Sequence, residues 1–159
     1  MKTYVLNDSA FMESILKKCD ICYVGLSDSE GAPYVIPMNF GYKDGTIYLH
    51  SASEGSHVDI IRQNPKTCIT FCPGARLACQ HETVACSYRM KSESVMCRGE
   101  IVFEEDIDKK TEALNVIMSH YTDRKFDYSL PAVKNVRVWI VKVEKMTGKI
   151  FGEKHHLTF

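Results

Sequence analysis

Apolar and polar residues alternate with a period of two along much of this chain, and that rhythm predicts strands. It is cleanest over residues 32–42. Tyr34, Ile36, Met38 and Phe40 fall on one face there, and Val35, Pro37, Asn39 and Gly41 on the other. Asp44-Gly45 follows, a pair that tolerates the positive backbone angles of a tight hairpin, so a return strand is expected over Thr46–Ala52. Residues 21–27, 66–72, 83–91, 94–103 and 136–146 are also rich in strand formers, with 73–82 reading as a loop.

Helical spacing appears in three places. Asp8 or Ser9 caps a helix running to about residue 18, with Phe11, Ile15 and Leu16 inward. A Ser56-x-x-Asp59 capping pattern starts a short helix that Asn64-Pro65 ends. Asp106 caps a longer one over Ile107–Tyr121, with Ile107, Leu114, Ile117, Met118 and Tyr121 as its buried stripe. Residues 122–135 read as irregular, broken by Pro131. Six or seven strands with short connections and two or three helices predict a mainly β fold. The expected form is one antiparallel β-barrel with peripheral helices over residues 1–159, rather than alternating βαβ units.

Length and composition narrow this little. A chain of 159 residues supports one domain with a real core. Twenty basic and twenty acidic residues cancel, leaving no bulk field to attract nucleic acid or an anionic membrane. A bound anion must then sit in a local pocket, which favours a small-molecule ligand. No apolar run reaches membrane-spanning length, and the N-terminus lacks the basic-then-apolar order of a signal peptide. A cytoplasmic location with reduced thiols is expected, and seven cysteines cannot all pair internally.

Candidate chemistry is sparse. The chain has no G-x-S-x-G elbow, H-E-x-x-H, P-loop or G-x-G-x-x-G. Cys19-x-x-Cys22 lacks a second pair at comparable spacing. Cys72, Cys79, His81 and Cys86 form the best metal candidate, but scattered structural thiols explain the cysteines better, and no metal is assigned. Pro37 cannot donate to a ladder, which implies an edge, a bulge or an approach to something other than a strand. Beside it, Asn39 could face a planar ligand. His50 and Ser51 precede a small-residue loop that reaches Ser56 and His57. Backbone N–H groups at that helix start could bind a phosphate or simply be capped, and both readings stay open. Arg89, Lys91 and Ser94 sit around an expected strand-to-strand turn, with Arg98 beyond them as ordinary surface charge.

The stretch PYVIPMNFGYKDGTIYLHSASEGSHVDIIRQNP resembles the second and third strands and following helix of the pyridoxamine 5′-phosphate oxidase-like split barrels. Within them it is most similar to the branch of the 5-nitroimidazole resistance proteins. The likeness continues through CSYRMKSESV, the helix after Glu105 and the VEKMTGK segment. It implies a homodimer of split barrels with one FMN in each of two interface grooves. Pro37, Met38 and Asn39 would line the isoalloxazine ring, with His50 and Ser51 beside the flavin and its phosphate arm. Ser56 and His57 would hold the phosphate end, and Lys91 and Ser94 would approach from the later strands. Two departures stand out: His57 where relatives commonly carry lysine, and Ser92 where they often carry an aromatic residue. The implied activity is FMN-dependent reduction of a small organic substrate such as a nitro-aromatic, with His50 as substrate-side proton donor. The alternatives are a flavin-binding or sensing module without turnover, another flavin or haem-like ligand, and a cysteine-metal barrel.

Overall fold

Residues 3–152 are described by the computed structural model. Their elements run β1 (Thr3–Leu6), α1 (Ser9–Lys17), β2 (Cys22–Ser27), β3 (Pro33–Met38), β4 (Phe40–Lys43), β5 (Thr46–Ala52) and α2 (Ser56–Gln63). Then come β6 (Lys66–Phe71), β7 (Ala75–Ala78), β8 (Arg89–Glu104), α3 (Ile107–Tyr121), α4 (Leu130–Asn135), β9 (Val136–Lys142) and β10 (Lys145–Phe151). Seven strands form one path of neighbours, β3-β2-β6-β8-β9-β5-β4, while β7 and β10 pair with β8 and β1 pairs with β10. Every pairing is antiparallel. The mainly β split barrel with peripheral helices is therefore as expected.

Two features shape the barrel. The first is β8, a 16-residue strand. Its middle pairs with β6 through Val95–Phe71 to Glu100–Lys66, and its end pairs with β9 from Ile101 onward, so one strand belongs to both halves. Gly99 marks the crossing, because a Cβ there would lie 2.3 Å from the Lys142 carbonyl oxygen. The second is the corner at Asn39. The alternating run is not one strand: β3 pairs with β2, β4 pairs with β5, and Asn39 is the single residue between them. The Phe40 N–H donates to Tyr121 Oη (3.0 Å) on α3, and that hydroxyl donates to the Asp20 carbonyl (2.8 Å). Tyr121 thus takes the backbone bond that a continuous strand would have made. Gly41 lets α3 lie directly on β4, since a Cβ there would come within 2.7 Å of the Val116–Ile117 backbone.

The core holds Trp139, Phe40 and Phe71, all fully buried, with the two phenylalanine rings edge to face at 4.8 Å. Asp44 (φ 48°) and Gly45 (φ 74°) make the expected hairpin turn. Asp8 and Asp106 cap α1 and α3 as expected.

Other local expectations are corrected. The segments 83–91 and 94–103 are not two strands around a turn. Residues 85–87 form a turn of 3-10 helix, and β8 runs unbroken from Arg89, its polar KSES stretch held extended by β7 on one side and β10 on the other. The loop over 73–82 contains β7. The last strand is two, β9 and β10, which run on in the same direction along β8 with an irregular step at Val143–Glu144 between the Ile101–Val141 and Arg98–Lys145 pairs. Pro131 does not break a segment but opens α4 near its first position, where a missing N–H costs nothing. Ser56 does not cap α2: Gly55 holds that position, with no side-chain bond. On α3 the buried side is Lys110, Ala113 and Ile117, because Gly41 draws in the 113–117 side of the helix. Leu114 and Met118 are left only half-buried. Among the described residues, no helix is long and apolar enough to cross a membrane.

Candidate functional site

The β5–β9 register sets Ser51 opposite Arg137 and Leu49 opposite Trp139. The Trp139 indole N–H donates to Ser51 Oγ (3.1 Å), and the Ser51 hydroxyl donates to the Ala52 carbonyl (2.7 Å). His57, in the first turn of α2, lies against the same indole at 5.6 Å between ring centroids. Gly55 allows this approach. Its φ of 128° suits glycine, and a Cβ would sit 3.0 Å from the His57 ring. Ser51, His57, Arg137 and Trp139 therefore form one cluster.

Arg137 is tied down on three sides. It pairs with Glu105, donates from Nη2 to the Ser53 carbonyl (3.4 Å), and sets its guanidinium 5.1 Å from the centre of the Phe103 ring. Two buried nitrogens of the cluster still lack a partner among the described residues, Arg137 Nε and His57 Nε2. Arg137 lines a hollow of about 390 Å³ together with Ser53, Glu54, Gly55, Asp59 and Arg62, while His57 stands behind Gly55 and is not on that lining. Asp59 sits 3.6 Å from Arg62. Two carboxylates thus offset two guanidiniums, and any preference for an anion comes from directional N–H donors at the helix start rather than net charge.

The other predicted residues group differently. Pro37 is exposed on β3, which ends the strand path, so the edge-strand reading accounts for it. Met38 is buried, and its carbonyl accepts the Cys22 thiol (3.5 Å). Extending the register that pairs Phe40 with Leu49 puts exposed Asn39, one residue beyond the end of β4, opposite His50. His50 points to the other face of β5 from Ser51, toward α3 and α4. Ser56 is exposed at the start of α2. Lys91 and Ser94 lie on the first half of β8, where Lys91 shares a separate hollow with Lys18 and Arg76 and Ser94 pairs with Lys149.

His50 keeps much of its area in solvent, yet the apolar wall beside it lowers its pKa by burial. Its imidazole is expected to titrate below the usual value of about 6.5, observable as its NMR shifts against pH. Unfolding restores the higher value, so the unfolded chain binds more protons and stability drops as pH falls below about 6.5. His50→Gln should flatten that drop.

The pyridoxamine 5′-phosphate oxidase family profile matches residues 8–150 of the chain. The chain belongs to this family. Among solved structures, a candidate 5-nitroimidazole antibiotic resistance protein from Bacteroides thetaiotaomicron is 52% identical and superposes with a TM-score of 0.86, over 94% of this chain and 87% of that one. The flavocytochrome Anf3 from Azotobacter vinelandii is 19% identical with a TM-score of 0.80, over 94% and 70%. A FAD- and heme-binding protein from Mycobacterium smegmatis is 11% identical with a TM-score of 0.80, over 95% and 75%. At the last two identities the likeness speaks for the fold alone. No curated protein matches the sequence.

In this pyridoxamine 5′-phosphate oxidase-like barrel the seven cysteines are all free, and apart from the half-buried Cys68 they fall into two classes. Burial pushes the Cys19 thiol up to about 11 and those of Cys22 and Cys97 to about 12, so these stay protonated. Cys72, Cys79 and Cys86 are exposed. Among the described residues, no three His, Cys, Asp or Glu side chains are grouped closely enough to hold a metal ion. Iodoacetamide at pH 8 should modify Cys72, Cys79 and Cys86 in the native protein and reach Cys19, Cys22 and Cys97 only after denaturation. Mass spectrometry of the labelled peptides reads this directly.

Sequence reasoning missed Arg137, Trp139 and Glu105. A lone arginine between two valines of a strand, two positions before a tryptophan, was a signal of sorts. Nothing in the sequence set it opposite Ser51.

Proposed function

We propose that this family member binds FMN, with the flavin phosphate at the hollow between Ser53 and Arg137, and reduces a small organic substrate such as a nitro-aromatic. The observation that carries the reading is that two buried nitrogens, Arg137 Nε on the lining of that hollow and His57 Nε2 near it, have no hydrogen-bond partner among the described residues. A buried donor left unpaired is costly, and a phosphate monoester offers several acceptor oxygens at once. The first turn of α2 adds backbone N–H groups, and Ser56 a hydroxyl. These residues fit the phosphate end of FMN, with His57 in place of the lysine common among relatives.

The flavin ring would extend toward Pro37, Met38 and Asn39, with His50 alongside. Lys91 and Ser94 stand apart from the cluster within one chain, so in this reading they reach the groove from a second copy in a homodimer. Leu77 and Met90, paired across β7 and β8 and 61% and 47% exposed, support that surface as the contact. When bound, FMN supplies transfer of hydride or single electrons. The chain's share is to anchor the phosphate through Arg137 and the α2 start, fix the ring against the β3–β4 corner, and offer a proton from His50. Burial lowers the His50 pKa, so its protonated fraction, and any step that draws on it, declines as pH rises through a midpoint below about 6.5. The 52%-identical relative named for 5-nitroimidazole resistance supports a nitro-aromatic as the substrate class. The assembly is expected in the cytoplasm.

The test is the visible spectrum of freshly purified protein, followed by titration with FMN. Yellow protein, or saturable uptake of added FMN, is expected. Colourless protein that takes up none would sink the reading. Anaerobic reoxidation of the bound, reduced flavin by a nitroimidazole or quinone then separates enzyme from carrier. No acceleration over free FMN would leave a flavin-binding module. Size-exclusion chromatography with light scattering should give twice the 18.1 kDa chain mass.

A further inference from the structure

A third hollow, of about 240 Å³, lies between β5, α3 and α4. Its walls are mostly apolar, with Leu114 and Met118 from α3, Val133 from α4 and Val136 just beyond it. His50 and Tyr128 are the polar side chains on its lining. Tyr128 Oη is buried and has no hydrogen-bond partner among the described residues, although the residue as a whole is only half-buried. Burial raises the phenol pKa above its ordinary value, so the group remains an O–H donor.

An unpaired buried hydroxyl is a standing cost to the fold unless something accepts from it. A water there would find two polar side chains, the low end of the roughly two to four partners that hold a buried water, so it satisfies Tyr128 only weakly. Drug-sized ligands occupy pockets of about 300–1,000 Å³, so this smaller space admits one ring with a substituent and not a three-ring flavin. The apolar walls disfavour a charged ligand.

We propose that this hollow binds a small, uncharged, single-ring organic molecule bearing one hydrogen-bond acceptor, which takes the Tyr128 Oη hydrogen bond while His50 closes one side. The site deepens the flavin reading, on which its catalytic purpose rests, because His50 belongs to both. The binding itself is complete within one chain and needs no flavin.

The test is a ¹⁹F NMR titration of the full-length protein with 4-fluoroacetophenone, a single ring with one ketone acceptor, in the presence and absence of saturating FMN. Fluorobenzene, which lacks the acceptor, is the control. Saturable binding of the ketone is expected in both conditions, about three- to tenfold tighter than fluorobenzene, the range of one neutral hydrogen bond. Tyr128→Phe should erase that difference and raise the Tm of the ligand-free protein by about 2–4 °C, because it removes a buried hydroxyl that has no partner among the described residues. A merely structural tyrosine would lose Tm instead. Ala132→Trp, on the exposed side of α4, should fill the space and abolish binding of both probes. The proposal is overturned if the wild type binds neither probe, or if Tyr128→Phe leaves the preference for the ketone intact. Ketone binding in a protein that refuses FMN would leave this site standing and remove the flavin reading; the reverse pattern would do the opposite.

Discussion

Arg137→Ala is expected to weaken FMN binding by about 10- to 100-fold, the range of one charge-assisted hydrogen bond lost from a partly dry site. The guanidinium is already oriented by Glu105, the Ser53 carbonyl and the Phe103 ring, so little entropy is lost when Nε takes an acceptor. Arg137→Lys should recover only part of the loss, because an ammonium cannot hold Glu105 and Ser53 while offering a separate donor in the fork geometry. Quenching of flavin fluorescence on titration gives both dissociation constants. Stability should fall modestly: the ion pair with the 67%-exposed Glu105 contributes about 0–1 kcal/mol, but the Arg137 side chain is only 18% exposed and its packing on Phe103 is lost as well. An unchanged affinity in the alanine variant would move the phosphate away from this hollow.

Trp139→Ala should have the largest effect on the fold. The side chain is fully buried among β5, β8 and β9, and truncations of this size cost about 3–5 kcal/mol. For a domain of this length that corresponds to a fall in Tm of roughly 6–20 °C. Trp139→Phe should retain much of the stability yet lose the indole N–H that Ser51 Oγ accepts and part of the surface under His57. The pair of variants separates packing from site geometry: alanine lowers both Tm and FMN affinity, phenylalanine mainly the affinity. Urea unfolding followed by circular dichroism measures the first, flavin titration the second. A phenylalanine variant with wild-type affinity would show that the Ser51–Trp139–His57 arrangement serves stability alone.

Short-range chemistry was legible in the chain and long-range pairing was not. Asp44-Gly45 announces its hairpin and Asp106 its helix because the conformational preference lies in the residues themselves. The corner at Asn39 was hidden because the alternation continues straight through it. What breaks the strand is Tyr121, a hydroxyl eighty-one positions away in sequence. The KSES run in β8 looks like a turn, since polar residues there gain nothing locally from staying extended; pairing with β7 and β10 keeps them so. At the site, the loop from Ser51 to His57 could be nominated because its small residues precede a helix. Arg137 could not, because only the β5–β9 register sets it opposite Ser51. Tyr128 sat in a segment that reads as irregular, and its burial depends on α3 and α4 closing over it.

The sharing of β8 bears on how this barrel comes apart. Its neighbours β6, β7, β9 and β10 draw on sequence from both sides of it, from residue 66 to residue 151. Neither half can detach without stripping hydrogen bonds from the strand the other half needs. Sub-global opening of one half alone is thereby suppressed, and amide protons in the centre of β8 can exchange only when the whole domain unfolds. The same strand makes formation slow to begin, because its partners must be gathered across long loops before any of them is fully paired.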